Sequence, residues 1–504
     1  MTWACRKTSS RSATCAGRQR STCSDHRCTE GRRAWMNTRS LLWGMLLAGI
    51  GLGVAPGALW AAAPELPEGL GAPASDTEEP ALPAGLGGEA GAEQTTDRPA
   101  AAALPFRLRG FWEARGGTRL GDDPRQRDLS IAETRLQLEA EKYFPGATLR
   151  LTGDFLYDDL DDDRSVDLES GEGAFDLREA SLVFSPSADT DVKLGRQVLT
   201  WGTGDLVFIN DLFPKDWVSF FIGRDVEYLK APSDALKVSA FSSWANLDLV
   251  YTPRFDADRF IDGRRLSFFN TGQGRLTGRN AVVLADRPAD AFEDDEWAAR
   301  LYRNLGAYEV ALYGYDGFWK SPAGAEPASG RARFPPLSVL GASLRGPVGP
   351  GIGNVELGYY DSRADRDGDD PTVRNSELRL LLGYEQEIAR NLTLGLQYYL
   401  ERMGEFEAYR RALPPGAPVR DENRHVLTQR LTWLTHSQNL EWSLFLFYSP
   451  SDRDAYLRPR VGYQVDDHLS VEAGGNLFFG AREETFFGQF QDNNNLYLGV
   501  RYGF

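Results

Sequence analysis

The feature that most constrains this chain is the alternation of apolar and polar side chains, with a period of two residues. From Phe106 onward, segments of about ten residues alternate apolar with polar or small side chains. In one segment Leu136 and Leu138 flank Gln137, and the pattern resumes after a tight turn at Pro145. Successive side chains of a strand point to opposite faces. The pattern therefore predicts a series of β-hairpins with one apolar and one polar face.

Short turns and long polar loops alternate between these segments, as in a transmembrane barrel with two unlike ends. Eight short turns predict about 18 strands, an even number that starts and finishes on the same side. Sixteen strands are the alternative, because residues 235–252 and 337–348 are weakly patterned. The predicted short turns lie near 145, 186–191, 243–246, 304–307, 347–353, 390–391, 437–441 and 466–468.

The hydropathy of the chain decides which membrane fold is open to it. Mean hydropathy is −0.40 and aromatic residues make up 12%. No stretch after Ala63 approaches the roughly 20 apolar residues of a membrane helix. Only a closed barrel satisfies every backbone group of such a chain in lipid. We therefore predict an all-β fold, a transmembrane antiparallel β-barrel. A soluble β-sandwich also alternates, but it does not explain loops of such unequal length.

The amino-terminal region has the pattern of an export signal. Met36 and Arg39 lead into an apolar run that ends at Ala61-Ala62-Ala63, an Ala-x-Ala cleavage pattern. Residues 36–63 are thus predicted to be a signal peptide. An uncleaved membrane anchor is the alternative, which Pro56 near the cleavage site disfavours.

Three further segments complete the predicted domain organisation. Residues 1–35, rich in Arg, Ser and Cys, are interpreted as a mis-assigned N-terminal extension. Residues 64–103, rich in Pro, Gly, Ala and Glu, are predicted to be a flexible periplasmic linker. The barrel is predicted over 104–504.

Cysteine content and charge exclude several functions of the mature chain. All four cysteines lie in residues 1–35, so the barrel has no thiol nucleophile and no disulfide. Residues 1–63 carry nine basic and two acidic residues, a charge of +7, which leaves −23 of the total of −16 for the remainder. A nucleic acid partner is therefore not expected.

The last segment, 496–504, alternates a large apolar set with a small and polar set. The outward set is predicted to be Leu496, Leu498, Val500, Tyr502 and Phe504. An aromatic terminal residue on such a strand resembles the signal that bacterial outer-membrane barrels present to their assembly machinery. The resemblance implies that role for Tyr502 and Phe504, with the barrel assembly machinery and outer-membrane lipid as partners.

Aromatic residues gather at predicted strand ends, where amphipathic rings suit the depth of lipid headgroups. The pairs Tyr359-Tyr360, Tyr398-Tyr399 and Phe478-Phe479 are examples. We predict that they form the two aromatic girdles of the barrel.

One interior segment resembles a known family. Gly195-Arg196-Gln197-Val198-Leu199-Thr200-Trp201-Gly202 runs into a long loop that contains Asn210-Asp211-Leu212-Phe213-Pro214-Lys215. The segment resembles porin-like Gram-negative outer-membrane barrels, including alginate-export-type proteins and uncharacterised relatives. The resemblance implies that loop 203–234 folds into the lumen and narrows it. The alternative is an extracellular lid.

Composition is compatible with a constriction loop, whose aromatic residues could pack against the wall while charged residues set the field. The predicted constriction charges are Asp205, Asp211, Lys215, Asp216, Arg224 and Lys230. The predicted pore-lining residues are Glu133, Arg135, Glu139, Arg150, Asp154, Glu179, Arg379, Arg430, Arg458 and Arg460. A third use is a path for apolar solutes, because Phe445 and Phe447 alternate with Leu444 and Leu446.

Metal and catalytic chemistry find little support in the sequence. The acidic runs 158–163 and 365–370 lack the final Glu of a calcium loop, so we expect solvated loops without a metal or other cofactor. His436-Ser437 lies at a predicted turn without a third group to orient it, so we do not expect an enzyme.

The function that these observations favour is an outer-membrane channel for selective diffusion of small solutes. The alternative is a barrel within a larger envelope complex that exports polysaccharide, lipid or hydrophobic cargo. In that case residues 64–103 would dock a periplasmic partner.

Overall fold

The computed structural model describes residues 106–161, 165–168, 171 and 173–504. The predicted extension, signal peptide and linker lie outside the described residues. Within the described part, eighteen antiparallel strands form one sheet. They are β1 Arg107–Arg119, β2 Leu129–Phe144, β3 Ala147–Asp158, β4 Phe175–Ser187, β5 Thr190–Val198, β6 Pro232–Ala240, β7 Asn246–Thr252, β8 Glu296–Leu305, β9 Tyr308–Phe318, β10 Pro336–Val348, β11 Gly351–Ser362, β12 Glu377–Ala389, β13 Leu392–Met403, β14 Asn423–Thr435, β15 Leu440–Ser449, β16 Asp454–Gln464, β17 Leu469–Gly480 and β18 Asn495–Gly503.

The sheet closes on itself. Each strand pairs with its neighbours in sequence, and β18 pairs with β1 from Arg119 opposite Asn495 to Phe111 opposite Gly503. Closure gives every strand two neighbours, so no sheet edge is exposed to lipid. The predicted closed antiparallel β-barrel of 18 strands is confirmed.

The two ends of the barrel differ as predicted. The eight short connections at one end fall at 145–146, 188–189, 241–245, 306–307, 349–350, 390–391, 436–439 and 465–468, which confirms the predicted turns. The weakly patterned residues form β6, β7 and β10, so the alternative of sixteen strands is wrong. The long connections all lie at the opposite end.

The outer surface carries the apolar half of each alternating pattern. In β18, Leu498 is 67% exposed whereas its neighbour Tyr497 is 2% exposed. The whole predicted outward set, Leu496 to Phe504, is exposed, which confirms its orientation. A belt of large apolar side chains around a closed sheet is the surface that a bilayer solvates.

The predicted girdle pairs are partly wrong. Tyr359 is 50% exposed on the outer face, but Tyr360 is 2% exposed inside the barrel. Tyr399 and Phe478 are also buried inside. Because adjacent residues of a strand point to opposite faces, only one member of each pair can reach lipid.

The long connections contain further short elements. They contain the helices α1 Trp217–Ile222 and α2 Phe406–Ala412 and the 3₁₀ turns Val226–Leu229 and Gly488–Asn493. Short strands Phe268–Asn270 and Arg275–Thr277 pair in one loop, and Ala285–Asp286, Ala332–Arg333 and Gly324–Ala325 form a second small sheet. None of the helices in the described ranges has the length and hydropathy that a membrane crossing requires.

Candidate functional site

The loop that joins β5 to β6 occupies the barrel interior. It comprises residues 199–231 and is called the luminal loop; the last three residues of the predicted loop, 232–234, belong to β6 instead. At its start Trp201 packs against Phe213, with ring centroids 4.9 Å apart, and against Tyr313 of β9. Gly202 has φ +83°, which lets the chain turn away from β5. The loop therefore leaves the wall toward the lumen.

One wall of the barrel holds the first half of the luminal loop. The carboxylate of Glu356 on β11 accepts hydrogen bonds from the backbone N of Gly204 at 2.8 Å, the Thr203 hydroxyl at 2.8 Å and the Asn210 amide at 3.0 Å. Asp205 pairs with Arg430 of β14 at 2.7 Å. A buried carboxylate with several donors is a strong, charge-assisted anchor.

Strands on other sides of the barrel hold the second half. Arg224 pairs with Glu133 of β2 at 2.7 Å, and the guanidinium of Arg115 on β1 donates to the Gly223 carbonyl at 2.7 Å. Arg458 of β16 donates to the Arg224 carbonyl at 3.1 Å. The luminal loop thus bridges β1, β2 and β16 to β11 and β14.

Helix α1 is the best-defined part of the luminal loop. Asp216 caps it, since its carboxylate accepts from the Ser219 backbone N at 2.7 Å. Gly223 ends it with φ +99°, and a Cβ there would lie 2.4 Å from the Tyr497 ring. Glycine is required at this position both for its backbone conformation and for the close approach to β18.

An aromatic-lined cavity of about 640 Å³ adjoins one side of α1 and is called the apolar cavity. Fifteen of the forty described residues that line it are aromatic. The ring of Phe221 lies 5.3 Å from Phe478 and 5.1 Å from Phe490, and Phe447 lies 5.4 Å from Phe487. These rings come from the luminal loop, from strands β15 and β17 and from the loop before β18.

Charged groups that line the apolar cavity are matched by carboxylates. Lys320 pairs with Glu296 at 2.6 Å, and Lys215 pairs with Asp211 at 3.0 Å. Arg374 and Arg379 both bond to Glu377, at 3.0 Å and 2.9 Å. The cavity therefore combines aromatic walls with compensated charge.

A second cavity, of about 560 Å³, adjoins α1 at Val218 and is called the arginine cavity. Among its described lining residues, seven are arginines and one, Phe260, is aromatic. The arginines join separate elements: Arg259 bonds to Asp176 of β4 at 2.8 and 2.9 Å, and Arg265 pairs with Asp158 of β3.

Loop 253–295, between β7 and β8, divides the two cavities together with α1. Ile261 lines the apolar cavity, Arg259 and Asp262 line the arginine cavity, and Phe260 between them lines both. Asp258 joins the loop to α1, because its carboxylate accepts from the Lys215 backbone N at 2.7 Å and the Trp217 indole at 3.1 Å. Burial raises the pKa of Asp258.

All ten residues predicted to line the pore lie on the inner face of the barrel. Several belong to contacts between neighbouring strands: Glu139 pairs with Arg109, Arg150 with Glu141 at 3.0 Å, and Glu179 with Lys193 at 2.7 Å. Arg135 pairs with Asp154. Others meet the luminal loop or its surroundings, namely Glu133, Arg379, Arg430, Arg458 and Arg460.

The six predicted constriction charges lie in the luminal loop with different partners. Asp211 and Lys215 are buried and pair with each other, and Asp216 caps α1. Arg224 holds Glu133, and Lys230 bonds to the Thr200 hydroxyl. The side chain of Asp205 is 40% exposed beside Arg430. Most of these charges are therefore paired or hydrogen-bonded within the protein, and the residues of α1 that line the apolar cavity are the aromatic Trp217, Phe220 and Phe221.

Sequence reasoning missed the inward aromatic residues of the site. The sequence predicts Tyr360 and Tyr399 in the aromatic girdles, yet both line the apolar cavity, and the Tyr360 hydroxyl donates to the Ile209 carbonyl. The alternation indicates their true orientation. Glu356 lies four residues before Tyr360 and Glu401 two residues after Tyr399, so each tyrosine lies on the same face of its strand as a glutamate.

The remaining predicted positions have the following settings. Tyr502 and Phe504 face outward, and the Phe504 backbone N donates to the Gly110 carbonyl at 2.9 Å.

The acidic runs and the histidine considered for metal or catalytic chemistry lie in loops and turns. In the run 365–370, the Asp365 carboxylate accepts from the backbone N of Gly368 at 3.0 Å. Part of the run 158–163 lies outside the described residues. His436 is at a short turn, 3.5 Å from the Thr435 hydroxyl. In the part that the structure describes, no group of three His, Cys, Asp or Glu is arranged to hold a metal.

Fold and site together define a membrane-spanning β-barrel whose lumen is crossed by a loop. No family model and no curated protein matches this chain. Solved structures with a similar course include OccAB1 of Acinetobacter baumannii, at 9% identity over 79% of this chain and 96% of that chain, with a TM-score of 0.48. The outer membrane protein opdK of Pseudomonas aeruginosa is 11% identical over 79% and 98%, with a TM-score of 0.46. A mutant of the Rh. blastica porin is 12% identical over 79% and 100%, with a TM-score of 0.37. At such TM-scores these likenesses carry no further inference.

Proposed function

We propose that this chain is an outer-membrane channel through which small solutes diffuse selectively. The observation that supports the proposal is the luminal loop, which is fixed to opposite walls inside a closed barrel by Glu356 and Arg430 on one side and Glu133 and Arg115 on the other. A barrel of this strand number otherwise encloses an open aqueous channel. A loop held across such a lumen narrows it, so the loop acts as the constriction. The process needs no covalent chemistry.

The proposed location is the outer membrane of a Gram-negative cell. The exposed apolar belt of the barrel supports a membrane environment, and the predicted export signal at 36–63 supports passage into the periplasm. We propose that cleavage leaves a chain that begins near Pro64. The mass of the protein purified from outer membranes tests this, since retention of residues before Pro64 contradicts signal cleavage.

Selectivity is proposed to arise where charged side chains of the luminal loop remain accessible. The side chains of Glu227 and Asp205 are 45% and 40% exposed. Glu227 pairs with Arg501 of β18 at 2.6 Å, and Arg501 also reaches Glu113. Opposed charges in a narrow passage discriminate among ions and polar solutes.

Single-channel recording in planar bilayers with a salt gradient tests the proposal. Discrete current steps with a measurable reversal potential are expected. Glu227→Lys is expected to move the reversal potential toward anion preference, because it reverses a charge at the constriction. The matched control is Glu407→Lys in α2, a side chain that is 64% exposed in a loop outside the constriction. A folded protein without current, or equal shifts in both variants, contradicts the proposed constriction.

A further inference from the structure

We infer that the apolar cavity is a binding site for small uncharged ring compounds, of the size of one or two fused rings. The inference names a solute class and so deepens the proposed channel function. The binding site itself can be tested apart from conduction.

The walls of the cavity have the chemistry that binds ring compounds. Trp217, Phe220 and Phe221 of α1 line it together with Phe447, Phe487 and Phe490. Phe220, Phe221, Phe487 and Phe490 are each less than 5% exposed, so the protein already holds these rings in place. Aromatic rings interact by stacked or edge-on contacts, and a pre-ordered aromatic wall binds another ring at little entropic cost. A volume of about 640 Å³ lies within the usual range of small-molecule pockets.

The charge balance of the cavity selects against ions. Five basic residues among the described lining, Lys215, Lys320, Arg374, Arg379 and Arg424, all have carboxylate partners. Their partners include Glu296, Glu377 and Asp452. The guanidinium of Arg379 also lies 3.8 Å from the Tyr360 ring centroid, and that of Arg374 lies 4.8 Å from the Trp319 ring centroid. An anion that enters would lose water without meeting an uncompensated cation, which costs free energy.

Strand β15 supplies an independent argument from the barrel wall. Phe445 and Phe447 both point into the barrel, with ring centroids 4.6 Å apart, whereas a strand that faces an aqueous lumen usually places polar residues there. Their aromatic faces extend the wall from Phe447 toward Arg430 and the constriction. Apolar residues in this position serve a solute that is itself apolar.

Equilibrium dialysis with 1-naphthol and its carboxylate analogue 1-naphthoate tests the inference. The purified full barrel is used at a fixed detergent concentration and neutral pH, so that the naphthol is uncharged and the naphthoate is an anion. We expect 1-naphthol to bind at least about tenfold more tightly than 1-naphthoate, a difference of one decade in Kd.

Two variants locate the binding. Val426→Trp places a large ring at a buried lining position on β14 and is expected to reduce 1-naphthol affinity at least about tenfold. Leu340→Trp, at a position that is 70% exposed on the outer face, is the matched control and is expected to bind like the unmodified barrel. Retained heat-modifiable mobility in gels shows that each variant is folded; if Val426→Trp does not fold, Phe447→Ala replaces it, with a loss of several-fold expected.

Three results would overturn the inference: 1-naphthoate binding as tightly as 1-naphthol, unchanged 1-naphthol binding in the folded cavity variant, or an equal loss in Leu340→Trp. Conductance of the same preparations separates the two proposals. Binding without current removes the channel and leaves the site, whereas current without binding removes the site and leaves the channel.

Discussion

The apolar cavity and the arginine cavity both border α1 and differ in the side chains that line them. In the arginine cavity, charged side chains tie loops to strands: Arg224 joins the luminal loop to Glu133, and Arg259 joins loop 253–295 to Asp176. In the apolar cavity, aromatic side chains leave a shaped space between them. The comparison indicates that ionic contacts hold α1 and loop 253–295 in position, whereas aromatic side chains shape the space that we propose binds a solute.

The largest effect is expected from removing an aromatic residue that contributes to both packing and cavity wall. Phe221 is 3% exposed and contacts the rings of Tyr456, Phe478 and Phe490. Phe221→Ala is expected to lower the free energy of unfolding by about 3–5 kcal/mol, measured by urea unfolding in lipid vesicles. The control Phe292→Ala removes a ring that is 73% exposed and should change it by less than about 0.5 kcal/mol. Equal effects would contradict a packed aromatic wall.

A slightly smaller loss of stability is expected from breaking an ion pair at the arginine cavity. Arg224→Ala leaves Glu133 without its partner in the luminal loop and should cost about 3 kcal/mol, the lower end of the range for broken buried pairs. Arg264→Ala is the matched control, because this arginine lines the same cavity with a side chain that is 53% exposed. Its loss should cost less than about 1 kcal/mol. If the two variants are equally stable, the ionic network does not hold the loop.

The sequence predicted the barrel because the barrel follows from local periodicity. Strand number, the eight short turns and the facing of residues such as Leu498 and Tyr497 all depend on the period of two and on turn composition. The girdle prediction is wrong at Tyr360 because it rests on residue type alone. The alternation along the strand places Tyr359 outside and Tyr360 inside the barrel.

The cavities could not be predicted, because they depend on contacts far apart in sequence. Arg265 meets Asp158, and Asn493 donates to the Ser267 carbonyl at 2.7 Å from a loop more than two hundred residues away. Loop 253–295 has no periodicity to indicate its place. The luminal loop was found from its resemblance to porin-like barrels, whereas the partners of its charges emerged only from the fold.

Changing pH should affect stability through one buried carboxyl of loop 253–295, that of Asp256. Lys320, which lines the apolar cavity, donates to the backbone carbonyl of Asp256 at 3.0 Å. Burial is the main cause that raises the pKa of the Asp256 carboxyl to about 7; Glu296 adds to the rise and Lys320 opposes it. Because the folded pKa exceeds the ordinary value of 3.8, the stability that the protonated carboxyl contributes is fully present below the ordinary value and is lost as pH rises through about 7.

Urea unfolding at pH values of about 5.5 and 8.5 measures this effect, and the barrel is expected to be less stable at the higher pH. Asp256→Asn is expected to reduce the difference, because the amide does not ionise. An unchanged pH dependence in that variant would assign the effect to other groups.

The smallest expected effect concerns charge at the rim of the arginine cavity. Arg264 and Arg287 are exposed lining residues. The double variant Arg264→Gln and Arg287→Gln should move the reversal potential slightly toward cation preference at low salt and lose that shift near 1 M salt, where the screening length is about 3 Å. Its 1-naphthol affinity should stay unchanged. A large change in that affinity would show that the two cavities do not act separately.

The most direct test of the constriction is to remove it. Val198 of β5 pairs with Pro232 of β6, so the two strands remain adjacent when residues 203–228 are replaced by a short glycine linker. Single-channel recording of this variant is expected to show a conductance at least about twofold higher than that of the unmodified barrel, since a barrel of this size without an inward loop is open. A folded variant with unchanged conductance would mean that the luminal loop does not limit the passage, and the central claim would fail.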